Sequence, residues 1–213
     1  MNIYTIHSES HEAFYKIFKD SLFANCKNFM LCSKFAEQVS KTGEYGSDDV
    51  IKFYRLKLEY ILEVLEKETK PFLYADVDIF VFRDFIADLE PRLGDNDLIA
   101  QYEKRELFRT ICSGFMYMKP NEKVKKLFRY ALRNLDGFRE DQKAINHYLR
   151  WHPIKWGMLP KTYYQINYDH GNKPWDGEDV NITVKNPFLF HYHWTIGNEN
   201  RFKLLKMVKN EII

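Results

Sequence analysis

The chain has 213 residues, 45% hydrophobic and 29% charged, enough for one domain with a substantial core, and this excludes a disordered, collagen-like or low-complexity polymer. Lys and Arg number 32 against 30 Asp and Glu, a formal charge of +2 with no basic run of five, so the broad positive field of a nucleic-acid binder is missing. Cys26, Cys32 and Cys112 form neither a CxxC pair nor a spaced Cys/His set, which argues against disulfides or structural zinc and for a reducing compartment.

Asn2 to Ile6 reads as a short strand, followed by capping residues at Ser8 to Ser10 and a helix from about His11 to Leu22, with Phe14, Ile17, Phe18 and Leu22 on one face. Phe29 to Cys32 suggests a second strand, and KTGEYGSDD (Lys41 to Asp49) a loop with a helix start. Val50 to Lys67 carries apolar residues at helical spacing up to Pro71. PFLYADVDIFVF then reads as one strand covered on both faces, interrupted only by Asp76 and Asp78. Leu98–Tyr102 and Ser113–Met118 are further predicted strands, with helices at Val124–Leu135 and Asp141–Trp151. Trp156–Pro187 is rich in Gly, Pro and Asn and reads as a loop-heavy region near a site; Phe188–Trp194 is a last strand, and a basic helix runs to Val208. This alternation implies an α/β sheet in a single domain, without internal repeats or a linker. Neither a signal-like start nor an apolar stretch of spanning length occurs, so neither membrane insertion nor secretion is expected.

Asp76 and Asp78 carry the strongest chemical signal. Two aspartates two residues apart at the end of a strand leave it on one side, and burying both charges costs several kcal/mol per ion, on the order of the known penalties, unless a cation compensates. A magnesium or manganese ion does so, completing its shell with water and substrate phosphates. The bland alternative is a pair that merely ends a strand. Strand ends of open α/β sheets are where such folds bind ligands. His191 and His193 in FHYHWT fall on one face of a later strand and offer imidazole to a mixed oxygen and nitrogen site, and Gly197 and Lys203 supply a turn and a cation for phosphate oxygens.

LYADVDIF, CSGFMYMKP, DQKAINHYL and HYHWTIGNENRFK, in this order, resemble the nucleotide-diphospho-sugar transferases of GT-A fold, from IYTI near the N-terminus to about Val208. The resemblance implies a Rossmann-like mixed sheet flanked by helices, with residues 1–110 holding the nucleotide and 111–213 the sugar and acceptor. It makes Asp78 a direct metal ligand, Asp76 a ligand or a contact to ribose and metal-bound water, and His191 or His193 the third protein ligand. Lys203 would touch the diphosphate, and Thr5, Ile6 and His7 would hold the nucleobase. Lys57 matches a basic position near the diphosphate or sugar, although a solvated lysine is the plainer reading. Ser113 and Gly114 match an N-S-G block beside the donor sugar in which Cys112 replaces the usual Asn. Asp141 and Gln142 match a D-Q pair facing sugar and acceptor, with Asp141 the one candidate base and also a fitting helix cap. Trp175 and Asp176 are weaker candidates for contacting an acceptor sugar.

The implied reaction is metal-dependent transfer from a nucleoside diphosphate sugar, with UDP the expected carrier, to a hydroxyl of a glycan or glycoprotein, with retention of configuration. A cytoplasmic setting is expected, that of the host if the chain is viral. A haloacid-dehalogenase-like phosphatase also places D-x-D after a strand, but normally at the start of its domain. A catalytically inactive nucleotide- or glycan-binding domain is the other alternative.

Overall fold

Strand β1 (Asn2–His7) leads through a 3-10 turn (Glu9–His11) into helix α1 (Glu12–Asn25), and β2 (Met30–Phe35), α2 (Asp48–Lys67) and β3 (Phe72–Ala75) follow. Then come β4 (Ile79–Val81), α3 (Ile86–Leu93), β5 (Leu98–Glu103), β6 (Thr110–Met118), α4 (Glu122–Phe138) and α5 (Asp141–Trp151). The chain ends with β7 (Trp156–Leu159), β8 (Tyr163–Gln165), α6 (Asn167–His170), β9 (Leu189–His191) and α7 (Asn198–Ile212). The computed structural model describes residues 1–37, 48–103, 109–170, 173–195 and 197–212. The predicted loop at 41–49 lies outside these except for Asp48 and Asp49, which open α2.

Six strands form one sheet in the order β2-β1-β3-β6-β5-β7. β1 is parallel to β2 and β3, β6 is antiparallel to β3 and β5, and β7 is parallel to β5. This is the expected mixed α/β sheet. Both faces are covered, which explains why all four residues of β3 and all nine of β6 are buried rather than alternating. On one face Leu58, Ile61 and Leu65 of α2 join Phe128 and Ala131 of α4 and Ile145 of α5 over Tyr74, Leu98 and Met116. On the other, Phe18 and Leu22 of α1 meet Leu73, Ala75, Ile99 and Phe115. Each of the large aliphatic or aromatic side chains among them contributes roughly 1.5–3 kcal/mol by leaving water.

The run PFLYADVDIFVF is not one strand. Pairing of β3 with β6 ends at Ala75 opposite Phe115, and the Asp76 amide donates to the Gly114 carbonyl at 2.7 Å. The chain bends over Asp76–Asp78 and enters a second sheet, of order β4-β9-β8, where Ile79 pairs with His191. The acid pair therefore occupies the link between two sheets. β9 is likewise shorter than predicted: it stops at His191, and Trp194 takes φ 60°, a left-handed backbone that cannot continue a strand. Strands β7 and β8 and the one-turn α6 lie within the stretch expected to be loop-heavy, at three or four residues each too short to show a period. No helix among the described residues is long and apolar enough to cross a membrane.

Candidate active site

The link places Asp76 and Asp78 in different surroundings. Asp76 Oδ1 accepts from the Tyr74 hydroxyl at 2.8 Å, and its Oδ2 accepts from the Lys57 ammonium at 3.1 Å. Burial and the Asp76 charge push the Tyr74 phenol well up, so it stays a donor. Asp78 Oδ1 lies 3.1 Å from His191 Nε2. Burial alone would raise the Asp78 carboxyl, but His191, with Arg201 and His193 behind it, holds it well below the usual carboxylate range. One ligand atom from each of Asp76, Asp78 and His191 falls within 4.8 Å of the others. Gly114 keeps this space open: a Cβ there would stand 2.3 Å from His191 Cε1 and 2.7 Å from Asp76 Oδ2. Two carboxylates and an imidazole around a cradle that a methyl group would fill fit a hard divalent ion.

Lys57 is not solvated. It is 4% exposed, and its Nζ lies 3.1 Å from Asp76, 3.1 Å from Asp141 Oδ2 and 3.3 Å from Ser113 Oγ. Burial would lower its pKa, but the carboxylates of Asp141 and Asp76 reverse this and keep the ammonium charged. The Ser113 hydroxyl donates to Asp141 Oδ2 at 3.0 Å, and the Ser113 amide to Gln142 Oε1 at 3.0 Å. The Gln142 amide side chain in turn donates to the buried Glu103. Asp141 is the first residue of α5, with Glu140 as N-cap, and its Oδ1 accepts from the Gln142 amide at 2.8 Å. Its oxygens are committed to Lys57, Ser113 and Gln142.

Of the two histidines, His191 stands at the acid pair. The His193 ring packs 4.1 Å from that of His191, but its Nε2 faces Cys112 Sγ, 3.9 Å away. The same sulfur lies 3.7 Å from His191 Nδ1.

At the C-terminal end of β1, Thr5, Ile6 and His7 are buried, and Thr5 Oγ1 and His7 Nδ1 have no partner among the described residues. His7 stacks on Tyr15 with ring centroids 4.0 Å apart, and its Nε2 meets Glu12 at 3.0 Å. Lys203 donates to the Gly177 carbonyl at 3.2 Å and sits over the Trp175 ring. Trp175 itself is fully buried, its indole N–H donating to the Glu178 carbonyl at 2.8 Å, so it has no face free to stack on an acceptor sugar; Asp176 is exposed.

The profile of the nucleotide-diphospho-sugar transferases matches residues 17–205. The chain belongs to that family. Its fold is also that of solved glycosyltransferases. It matches a glycosyltransferase involved in glycosylation of the major capsid of PBCV-1 at TM-score 0.66 and 12% identity, over 97% of this chain and 98% of that one. The galactosyltransferase LgtC, solved with donor and acceptor sugar analogues, matches at TM-score 0.62 and 13% identity over 98% and 96%. GlyE of Streptococcus pneumoniae TIGR4 matches at 0.60 and 15%, over 99% of this chain and 62% of its own. No curated protein matches by sequence. With the family, the phosphatase alternative falls, and the donor class of this transferase is a nucleotide-diphospho sugar.

Sequence reasoning missed one cation of this transferase. Arg201, in the first turn of α7, helps hold down the Asp78 carboxyl, its Nη1 lies 2.9 Å from His11 Nε2, and its buried Nε has no acceptor among the described residues. Lys203 is two positions on, about 200° around a helix of ~3.6 residues per turn, and so faces elsewhere. Helical phase relative to Gly197 was the available signal. Glu103 and Gln101 were also missed, because isolated polar residues at the end of an apolar strand carry no motif.

Proposed function

We propose that this glycosyltransferase moves a sugar from a uridine diphosphate donor to a glycan hydroxyl with retention of configuration, and that Asp78, His191 and Asp76 hold the manganese or magnesium ion the reaction uses. The observation that carries this reading is the convergence of those three ligand groups within 4.8 Å across a cradle kept empty by Gly114. When bound, such an ion supplies Lewis-acid stabilisation to the departing diphosphate.

The chain's own residues do the rest. Lys57 and Tyr74 fix both oxygens of Asp76, and Asp78 is kept ionised by His191. Arg201, whose Nε has no acceptor among the described residues, meets the outer phosphate oxygens. Thr5, Ile6 and His7 hold the base, and Ser113 and Gly114 floor the donor sugar, with Gln142 fixing the Ser113 amide. Asp141 positions Lys57 and Ser113. Its committed oxygens favour a leaving phosphate oxygen as acceptor of the hydroxyl proton, the course that retention of configuration suits. An intact ligand set favours turnover over an inactive binding domain.

A panel of sugar nucleotides incubated with the chain and manganese tests the reading. Hydrolysis or transfer from a UDP-sugar that stops with chelator is expected. Turnover that chelator leaves unchanged would overturn the metal-dependent reading.

A further inference from the structure

Cys112, His191 and His193 form a second group of metal-ligating atoms within 4.8 Å of one another, beside the acid pair but of different chemistry. Cys112 Sγ lies 3.7 Å from His191 Nδ1 and 3.9 Å from His193 Nε2. Zinc bonds of about 2.3 Å to sulfur and about 2.0–2.1 Å to nitrogen, at a tetrahedral angle, separate those ligands by about 3.5 Å. The sulfur and each of the two nitrogens thus stand within a few tenths of an ångström of the separation that zinc needs. Separations of 79 and 81 positions between Cys112 and the histidines hide the set from any spacing rule. His193 Nδ1 is buried with no hydrogen-bond partner among the described residues.

We propose that Cys112 Sγ, His191 Nδ1 and His193 Nε2 bind a borderline-soft divalent ion such as zinc, and that this site competes for His191 with the hard-ion site of Asp76 and Asp78. Binding is independent of the proposed reaction; the competition rests on it. An imidazole that ligates a metal has one proton for its two nitrogens, so His191 can offer only one lone pair at a time. With that proton on Nδ1, donated to Gln101 Oε1 at 2.8 Å, Nε2 offers its lone pair beside Asp78. With zinc on Nδ1, the hydrogen bond to Gln101 is replaced and the proton sits on Nε2, donating to Asp78. That carboxylate–histidine–metal pattern orients many zinc ligands. The Cys112 thiol proton leaves to solvent as the thiolate bonds to the ion, and His193 keeps its proton on Nδ1.

The test uses the full chain stripped of metal and titrated with cobalt(II), which reports thiolate ligation by a sulfur-to-cobalt charge-transfer absorption. The band is expected at one equivalent, absent in Cys112→Ser, and shifted to at least about tenfold weaker binding in His193→Gln. It should persist in the Cys26→Ser/Cys32→Ser double variant and in Asp78→Asn. No band in the natural chain, or an unchanged band in Cys112→Ser, would overturn the site; His193→Gln serves the same purpose if Cys112→Ser does not fold. Zinc should also weaken manganese binding at least about tenfold, and manganese affinity untouched by zinc would overturn the competition. A cobalt band in a chain that binds no manganese would leave the thiolate site standing and remove the hard-ion reading.

Discussion

Lys57 Nζ lies 3.1 Å from Asp141 Oδ2 with the two side chains 4% and 3% exposed, a buried ion pair tying the middle of α2 to the first residue of α5. The same ammonium reaches Asp76, so one cation holds both the acid pair and the Asp-Gln pair in place. Lys57→Met strands two carboxylates without a counter-charge. A loss of roughly 3–5 kcal/mol in denaturant unfolding is expected, as for other broken buried pairs. A change below about 1 kcal/mol, the value of an exposed pair, would show that Lys57 is not the hub described.

Gly114→Ala tests the cradle. Its Cβ would collide with the His191 ring and the Asp76 carboxylate. Overpacking of this kind costs about 1–3 kcal/mol, and because the colliding atoms are the candidate ligands, manganese binding measured by calorimetry should fall more than stability does. Retained manganese affinity would mean the ion sits elsewhere.

Arg201 and Lys203 should differ sharply. Arg201→Ala removes a cation whose charge acts on Asp78 and which is proposed to meet the diphosphate, a contact worth about 1.5–3 kcal/mol in hydrogen bonds to a charged group, so UDP affinity should fall about tenfold or more. Lys203→Ala removes only a contact to the Gly177 carbonyl and the Trp175 ring and should change UDP affinity about twofold at most. The reverse ranking, read by titration calorimetry, would restore Lys203 as the diphosphate contact.

Stability should fall on mild acidification. Burial lowers the pKa of His7 against the pull of Glu12, and burial together with Arg201 lowers that of His11. Both imidazoles take up a proton less readily folded than unfolded. Their contribution is therefore full above the ordinary histidine pKa of about 6.5 and is lost as pH drops below it. The melting temperature of the metal-free chain should decline from about pH 7.5 to about pH 5.5, less steeply in His11→Gln. An equal slope in that variant would exclude His11 as a source.

The acid pair and the helices from 48–67 and 141–151 were legible because each carries a local signal: adjacent charges in an apolar run, or a period long enough to count. That Asp76 and Asp78 mark a change of sheet was not legible, since β3 and β4 together still read as one apolar segment and only their partners, β6 and β9, tell them apart. Both histidines were found, but which one faces Asp78 depends on where β9 ends. Only the resemblance put Lys57 near the diphosphate or sugar, and its residue type alone suggested a solvated lysine, because its two counter-charges lie 19 and 84 positions further along the chain. Trp175 looked free to stack because nothing local announces its burial. α3 went unread because it is eight residues long with Pro91 inside it.

Binding of UDP to the metal-free chain, measured by titration calorimetry with manganese and again with chelator, tests the central claim most directly. Affinity at least about tenfold tighter with manganese, with the difference gone in Asp78→Asn, is the expected result. Equal affinity under both conditions, or a manganese effect that survives in Asp78→Asn, would contradict an ion held by Asp78 and His191 as the anchor of the donor diphosphate.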